Sequence, residues 1–430
     1  MNMFSDNPFF RQLYKYKKYI LTSLLFILSL SLRAYGMENK YPFGWDQVNN
    51  AWAAKNIIIN HEFPLVGMVV KQNTGFFIGP VYYYFVAIFY WVTNLNPVAS
   101  EYVALTTSIL TFFVIFFVAK RLFNYRIALI ASFINSISFA AFSFDVVQWP
   151  VAFLPALSLL IFYFLYRLIR GEEKYLVLLS LATGLAFHIH FTAIFFPIII
   201  LLCLPFFPRN KKMLLYLLLF IPLFSIWFIP NLIYQFQNSS QLSNLSGYLN
   251  DNYHGFHLKR FIQLTGDGLI QFDPYLYFNA IKSFKALIIP FFIFIFLRKK
   301  FSKERWVFSY MTLIFFLVPW LVFSTYKGEI SDYYFCINRY VALLILSYLL
   351  SMALFARKWM VKIVVFGFLI YYSYLNVSTI LYYNSENGLS EKIKKVSMDM
   401  VSGKKVGFQE GVPESYIYYY LMRKKGFSVY

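Results

Sequence analysis

The sequence predicts an all-α membrane protein that crosses the bilayer about eleven times. Of its 430 residues, 60% are hydrophobic and only 13% are charged, about half the share of ~25% that soluble domains carry. Apolar runs near or above the ~18 residues needed to cross the hydrocarbon recur along the chain. The formal net charge of +20 would also suit a nucleic-acid-binding protein, so the placement of the basic residues has to decide.

Eleven apolar runs are predicted to span the membrane. They are Tyr19–Tyr35, Tyr102–Ala119, Ile127–Phe144, Val151–Tyr166, Tyr175–Phe187, Phe191–Phe207, Met213–Tyr234, Ala286–Leu297, Trp306–Phe323, Phe335–Ala356 and Ile363–Leu381. A further run, Gly79–Thr93, is short for a crossing. If it does not span, every short basic connector lies on one side, as the positive-inside rule requires. We therefore expect this run to lie flat on the outer surface or to re-enter it, with the N-terminus in the cytoplasm and no nucleic-acid partner.

This threading divides the chain into a transmembrane domain, residues 1–381, and a short C-terminal segment outside the membrane, residues 382–430. The domain carries two long outer loops, the first outer loop at 36–101 and the second at 235–285. In the C-terminal segment, a strand-like alternation at 405–408 and 427–430 flanks a helix that begins near Pro413. These patterns predict a small αβ stub. The first apolar run lacks a small-residue cleavage site and is expected to stay as an anchor.

Two neighbouring spans, Tyr175–Phe187 and Phe191–Phe207, share one short junction with the sequence FHIHF. The junction places His188 and His190 at the outer ends of two short helices. Either the bilayer thins at this point, or the tip of the hairpin sits inside protein rather than in water.

Ionisable residues are almost absent from the middle of the spans and collect at the predicted outer boundary. A transporter generally needs such groups near the midplane, so this distribution favours chemistry at the outer lipid–water interface. Asp46, beside Trp45 and ahead of Asn50, lies shortly after the end of the first span. It could act as a general base toward a hydroxyl group. The alternative is that it caps the helix that starts there.

Several stretches, taken in order, resemble one known group of enzymes. An aspartate shortly after the first span is followed by HEFPLVG, GPVYYYFVAIFYWV, AKRLFNYRIALIASFINSIS, an outer WP turn and GLAFHIHFTAIFFP. This order is similar to that of the GT-C membrane glycosyltransferases, in particular the protein-mannosyltransferase and aminoarabinose-transferase-like superfamily. The resemblance covers roughly Tyr19 to Phe207. It implies a GT-C bundle with interfacial helices in the first outer loop, an outer-face active site and inverting transfer of a sugar from a polyprenyl-phosphate donor.

The resemblance also implies roles for particular residues. Asp46 matches the proposed catalytic base, and Gln47 stands where many relatives carry a second acid. Asp145 lies in an outer turn where relatives often place Arg or Asp, with a solvated helix end as the alternative. His190 falls where relatives have Lys or His, with a purely structural histidine as the alternative.

A late segment, YKGEISDYYFCINRYVALLILSYLL, is similar to the family segment in which a basic residue and a tyrosine precede a span. Lys327, Tyr334 and Arg339 would then approach a lipid phosphate, and Lys71 in VVKQNTG could meet the same group. The alternatives are a snorkelling arginine for Arg339 and an ordinary headgroup contact for Lys71.

The implied partners are a polyprenyl-phosphate sugar, membrane lipid and a hydroxyl acceptor that could be a protein, a lipid or a polysaccharide. No cofactor is predicted. A divalent metal is not indicated, although Asp251, His254 and His257 are compactly spaced in the second long outer loop. Two other function classes stay open: a lipid-linked glycan flippase or transporter, and a membrane scaffold for other envelope proteins.

Overall fold

The computed structural model describes residues 8–70, 74–238, 242–253, 255–269, 303–403 and 411–425. These residues form helices, loops and three isolated β-bridges. The α-helices are Pro8–Ala34, Met37–Lys40, Trp45–Lys55, Val81–Val92, Ala99–Leu122, Tyr125–Ile137, Phe139–Asp145, Leu154–Ile169, Tyr175–Phe187, Phe195–Cys203, Lys211–Ser225, Ile229–Gln237, Leu242–Asn252, Leu258–Leu269, Lys303–Phe323, Arg339–Leu354, Trp359–Tyr382, Leu389–Val401 and Pro413–Lys424. Shorter 3₁₀ turns extend several of them, and a π-helical turn, Asn56–Asn60, follows Lys55.

Six helices within the described residues are long and apolar enough to cross a membrane, and a bent pair makes a possible seventh. The six are Ala99–Leu122, Pro150–Ile169, Lys211–Gln237, Trp306–Phe323, Tyr333–Leu354 and Trp359–Tyr382. Ten of the eleven predicted spans coincide with helical segments, which confirms the all-α membrane fold. The remaining span, Ala286–Leu297, lies outside the described residues, as do the predicted strands at 405–408 and 427–430.

The bent pair consists of Tyr125–Ile137 and Phe139–Asp145, which meet at 70°. Ser138 stands between them in an extended conformation, and its hydroxyl accepts a hydrogen bond from the Ala141 N–H at 3.3 Å. A serine in this position ends one helix and caps the next. The bend places Asp145 at the start of the turn that leads into Pro150–Ile169.

The FHIHF junction lies within protein, which settles the alternative left open by the sequence. His188 is buried, and its Nε2 lies 2.5 Å from the Trp227 carbonyl oxygen. The backbone of Gly79 comes so close to the His188 ring that a Cβ at Gly79 would overlap it. The hairpin tip is therefore held between the first outer loop and the helix pair Lys211–Gln237.

The first outer loop carries two main helices, Trp45–Lys55 and Val81–Val92, which pack against each other. At 12 residues, and ~1.5 Å per residue, the second is far shorter than the ~30 Å of hydrocarbon. It buries Tyr82, Val86 and Tyr90 and exposes Trp91. The described residues contain two hydrophobic clusters, a large one within the bundle and a smaller one in this loop.

Candidate active site

Asp46 lies in the first turn of the helix Trp45–Lys55. The cap of this helix is Gly44, whose N–H donates to Oε1 of Gln47 at 2.8 Å. The alternative that Asp46 caps the helix is therefore wrong. Within the described residues, the Asp46 carboxylate has no hydrogen-bond or ion-pair partner, and burial raises its pKa. A carboxylate that is partly withdrawn from water and holds its proton more tightly is a stronger base.

The helix Val81–Val92 brings tyrosines to this carboxylate. Burial and then the nearby Asp46 charge raise the pKa of Tyr83 to about 12. The Tyr82 hydroxyl accepts a hydrogen bond from Nε2 of Gln148 at 2.8 Å. Nε2 of Gln47 donates to the Gln148 carbonyl oxygen at 2.6 Å. The residue next to Asp46 is thus tied to the outer turn at 145–150.

Asp145 ends the second helix of the bent pair and is paired with a cation that the sequence analysis did not single out. Its Oδ2 lies 2.6 Å from Nη2 of Arg33 and 3.0 Å from Nε. Both side chains are buried, at 4% and 2% exposure, so the solvated-helix-end alternative for Asp145 is wrong. The Arg33 guanidinium also donates to the carbonyl oxygens of Asn135 and Ser136. A buried cation needs hydrogen-bond acceptors for its N–H groups, and these contacts supply them.

The outer turn continues into a row of aromatic rings that leads to Arg339. Trp149 packs edge-on against Phe144, with ring centroids 5.1 Å apart, and against Tyr333 at 5.1 Å. The Arg339 guanidinium carbon stands 3.9 Å from the centroid of the Phe144 ring. Arg339 is only 7% exposed, so the snorkelling alternative is wrong. Its cation–π contact lies in a dry setting, where such contacts are strongest.

His190 and Tyr334, predicted from two separate stretches of the sequence, are neighbours. Their ring centroids are 5.5 Å apart, and His190 also faces Tyr333 at 5.8 Å. Burial lowers the pKa of His190 to about 4, so the ring is neutral near pH 7. Nδ1 of His190 accepts the Thr192 N–H at 3.3 Å. Nδ1 also lies 2.9 Å from the Thr192 hydroxyl, and its acceptor role toward the N–H favours the tautomer that carries the proton on Nε2.

The predicted set also contains two lysines, and the structure describes one of them, Lys327. Lys327 is exposed, and its backbone N–H donates to the Asn252 carbonyl oxygen at 2.9 Å. The preceding residue, Tyr326, is buried, and its hydroxyl lies 2.5 Å from that of Tyr248. Lys71 lies outside the described residues.

The outer turn at 145–150, with Phe144 directly before it, thus connects the parts of the site. Gln148 reaches the Asp46 side, Phe144 reaches Arg339, and Trp149 reaches the rings beside His190. Arg33 was not among the predicted residues, although a cation inside an apolar run is a signal that it is paired or functional. Gln148 has no comparable sequence signal, and Trp149 entered only as part of the outer WP turn.

Metal ligation finds no support among the described residues, where no three His, Cys, Asp or Glu side chains cluster. His254, one member of the spaced group in the second long outer loop, lies outside them. Carboxylate and histidine ligands must converge to hold a metal.

A protein-family model covers part of this site. Residues 78–234 match the family described as dolichyl-phosphate-mannose-protein mannosyltransferase. The matched region is little more than a third of the chain, and it includes Asp145, Gln148 and His190 but not Asp46. A comparison with curated protein sequences returns no match.

The fold is similar to solved structures of membrane glycosyltransferases. ArnT from Cupriavidus metallidurans, bound to undecaprenyl phosphate, matches with a TM-score of 0.56 and 11% identity over 94% of this chain and 74% of ArnT. The oligosaccharyltransferase AglB from Archaeoglobus fulgidus, in complex with an inhibitory peptide and a dolichol-phosphate, matches with a TM-score of 0.61 and 14% identity. That match covers 90% of this chain and 58% of AglB.

These findings confirm the GT-C fold that the resemblance implied. Together, the family-model match over residues 78–234 and these structures show that the chain is similar to membrane glycosyltransferases. Identities of 11% and 14% show the fold but do not identify the substrate, since one fold can host several chemistries.

Proposed function

We propose that this protein is an inverting glycosyltransferase that moves a sugar from a polyprenyl-phosphate donor to a hydroxyl acceptor at the outer face of the membrane. The observation that carries the proposal is the position of Asp46 in the first outer loop of a GT-C fold, where its carboxylate has a raised pKa and no hydrogen-bond or ion-pair partner among the described residues. Gln47 and Gln148 link it to the aromatic row that leads to Arg339.

On the acceptor side, the Asp46 carboxylate takes the proton of the attacking hydroxyl group. The acceptor oxygen forms a bond to the anomeric carbon as the bond from that carbon to the phosphate oxygen breaks. Attack from the face opposite the leaving group inverts the configuration in a single displacement, which needs one general base. The tyrosines around Asp46 limit the access of water to this carboxylate.

On the donor side, breaking the glycosidic bond leaves polyprenyl phosphate, and its developing negative charge needs fixed donors. We assign this role to the Arg339 guanidinium, the Tyr334 hydroxyl and Nε2–H of His190. Cationic and hydroxyl donors form the strongest hydrogen bonds to phosphate oxygens. Lys71 and Lys327 stay predictions as further phosphate contacts. Direct donor binding by Asp145 also stays a prediction, and its pairing with Arg33 offers it a second role, in holding the outer turn.

The test is turnover by protein in lipid nanodiscs, with a panel of polyprenyl-phosphate sugars and release of polyprenyl phosphate as the readout. Asp46→Asn keeps the size of the side chain and removes the base, so we expect a loss of about 10²–10⁴-fold. Glu62→Gln is the matched control, since Glu62 is an exposed carboxylate in the same loop. Normal turnover by folded Asp46→Asn protein would refute the assignment. Passage of intact donor across vesicles, without cleavage, would favour the flippase alternative.

The orientation of the chain in the membrane is part of the same proposal. With the N-terminus in the cytoplasm, a reporter fused at Asn124 should read cytoplasmic, and one at Gly247 should read external. An external signal at Asn124 would mean that Val81–Val92 crosses the membrane, and the site would then need to be reassigned to the other face.

A further inference from the structure

The C-terminal segment and the first outer loop share one hydrophobic cluster. Buried members from the loop region include Phe43, Val48, Tyr90 and Leu95, and buried members from the C-terminal segment are Leu389, Val396, Tyr416, Ile417 and Tyr419. Residues separated by more than three hundred positions thus exclude water together. A continuous apolar cluster of this kind fixes its elements relative to each other, since close-packed interiors deform little.

Tyr416 lies at the centre of this cluster and is fully buried. Its ring stands edge-on to Trp52 at 5.2 Å and edge-on to Tyr90 at 5.8 Å between centroids. Its hydroxyl donates to the Leu95 carbonyl oxygen at 3.1 Å. One side chain of the C-terminal segment therefore touches the helix that carries Asp46, the helix Val81–Val92 and the loop that follows it.

Backbone contacts hold the entrance to the Asp46 helix as well. The Phe43 N–H donates to the Asn387 carbonyl oxygen at 2.8 Å, one residue before the Gly44 cap. The Ser385 N–H donates to the Asn39 carbonyl oxygen at 2.9 Å. These bonds tie the chain on the N-terminal side of Asp46 to the C-terminal segment. Together with Tyr416 they contact the helix region at both of its ends.

Gly411 brings the C-terminal segment beside the first turn of the Asp46 helix. A Cβ at Gly411 would lie 3.2 Å from Nε1 of Trp45 and 3.9 Å from Oδ1 of Asn49. Trp45 directly precedes Asp46, and Asn49 lies almost one turn after it. At 3.2 Å the added carbon would press on the indole, so Trp45 would have to give way.

We propose that the C-terminal segment positions the Asp46 helix for catalysis, with Tyr416 and Gly411 as positioning residues. The proposal rests on the proposed function, since it concerns the residue assigned as the base. Its physical reason is that a misplacement of about 1 Å at a reacting group can cost ~10²-fold in rate. The segment then sets kcat while leaving donor binding near Arg339 unchanged.

The test compares two glycines of the C-terminal segment that share a left-handed conformation. Gly411 has φ +86° and Gly403 has φ +70°, but a Cβ at Gly403 meets open space. Gly403→Ala therefore controls for backbone strain. For Gly411→Ala we expect kcat to fall about 10-fold or more, with an unchanged KM for the donor and a melting temperature like that of Gly403→Ala. Adding Trp45→Phe, which removes the indole N–H group that the new carbon meets, should restore much of kcat.

Hydrogen–deuterium exchange of residues 44–56 and turnover of Asp46→Asn are measured alongside. Equal kcat for Gly411→Ala and Gly403→Ala would overturn the proposal, and an inactive Asp46→Asn would at the same time leave the proposed function standing. If the KM of Gly411→Ala rose while its melting temperature fell, the proposal would also be overturned. The contact would then stabilise the fold in general and would not position the base. Full activity of Asp46→Asn would remove the proposed base, and with it the positioning role.

Discussion

Arg33 and Asp145 form a buried ion pair at 2.6 Å that joins the end of the first helix to the outer turn. The two residues are separated by 112 positions. Arg33 also donates to two backbone carbonyl oxygens at the bend between the paired helices. The pair therefore holds three elements together directly beneath the turn that carries Gln148 and Trp149.

Removing either partner should destabilise the protein strongly. Arg33→Met leaves the Asp145 carboxylate buried without its cation, and we expect a loss of about 3–5 kcal/mol in the free energy of unfolding. The double variant Arg33→Met/Asp145→Leu removes both charges and should recover a large part of that loss. Thermal unfolding in detergent measures both. Additive losses in the double variant would show that the two side chains do not stabilise each other.

The pKa of Asp46 predicts a pH-dependent effect on stability. Burial raises this pKa in the folded state, so ionising the carboxyl group costs more in the folded protein than in the unfolded chain. Asp46→Asn should therefore raise the melting temperature at pH 7 to 8. The difference should shrink as the pH falls through the raised pKa, because the wild-type carboxyl group is then also neutral. A difference that is constant from pH 4 to 8 would contradict this origin.

The same shift predicts the acid limb of the activity profile. A general base works only when ionised, so kcat/KM should fall as the pH drops through the pKa of Asp46 in the free enzyme. We expect the midpoint to lie above the ordinary aspartate value of ~3.9. Residual turnover by Asp46→Asn should lack this limb. An unchanged acid limb in that variant would assign it to another group.

The hydrogen bonds of Gln47 allow a prediction for Gln47→Glu, which restores the second acid that many relatives carry at this position. Its Oε1 accepts from the Gly44 N–H, while its Nε2 donates to the Gln148 carbonyl oxygen. Gln47→Glu keeps the acceptor and loses the donor, so a carboxylate oxygen would face a carbonyl oxygen at a buried position. We expect a loss of about 1–3 kcal/mol in the free energy of unfolding and lower turnover. Gln47→Met, with a similar length and no charge, separates the lost hydrogen bond from the added charge.

The close approach of Gly79 to His188 predicts that even a methyl group at position 79 is too large. The first outer loop meets the FHIHF junction at this point. A Cβ at Gly79 would overlap the His188 ring, which is itself held against Trp227. Gly79→Ala should therefore lower the melting temperature and turnover together, since overpacking typically costs ~1–3 kcal/mol. Gly367→Ala is the control, because a Cβ there meets open space within the helix Trp359–Tyr382. Equal melting temperatures for the two variants would contradict the close approach.

The sequence by itself determined the elements that depend on local composition. Long apolar runs must satisfy their backbone groups internally in lipid, so they are helices, and ten of the eleven predicted runs coincide with helices in the described part of the chain. The order of motifs around Asp46 also predicted the GT-C fold. Tertiary structure alone decided that Gly44 caps the Asp46 helix, that Asp145 pairs with Arg33, and that Tyr416 packs on Trp52. Two of these contacts join residues more than a hundred positions apart. Such contacts arise from the packing of whole helices, which leaves no periodic trace in the sequence.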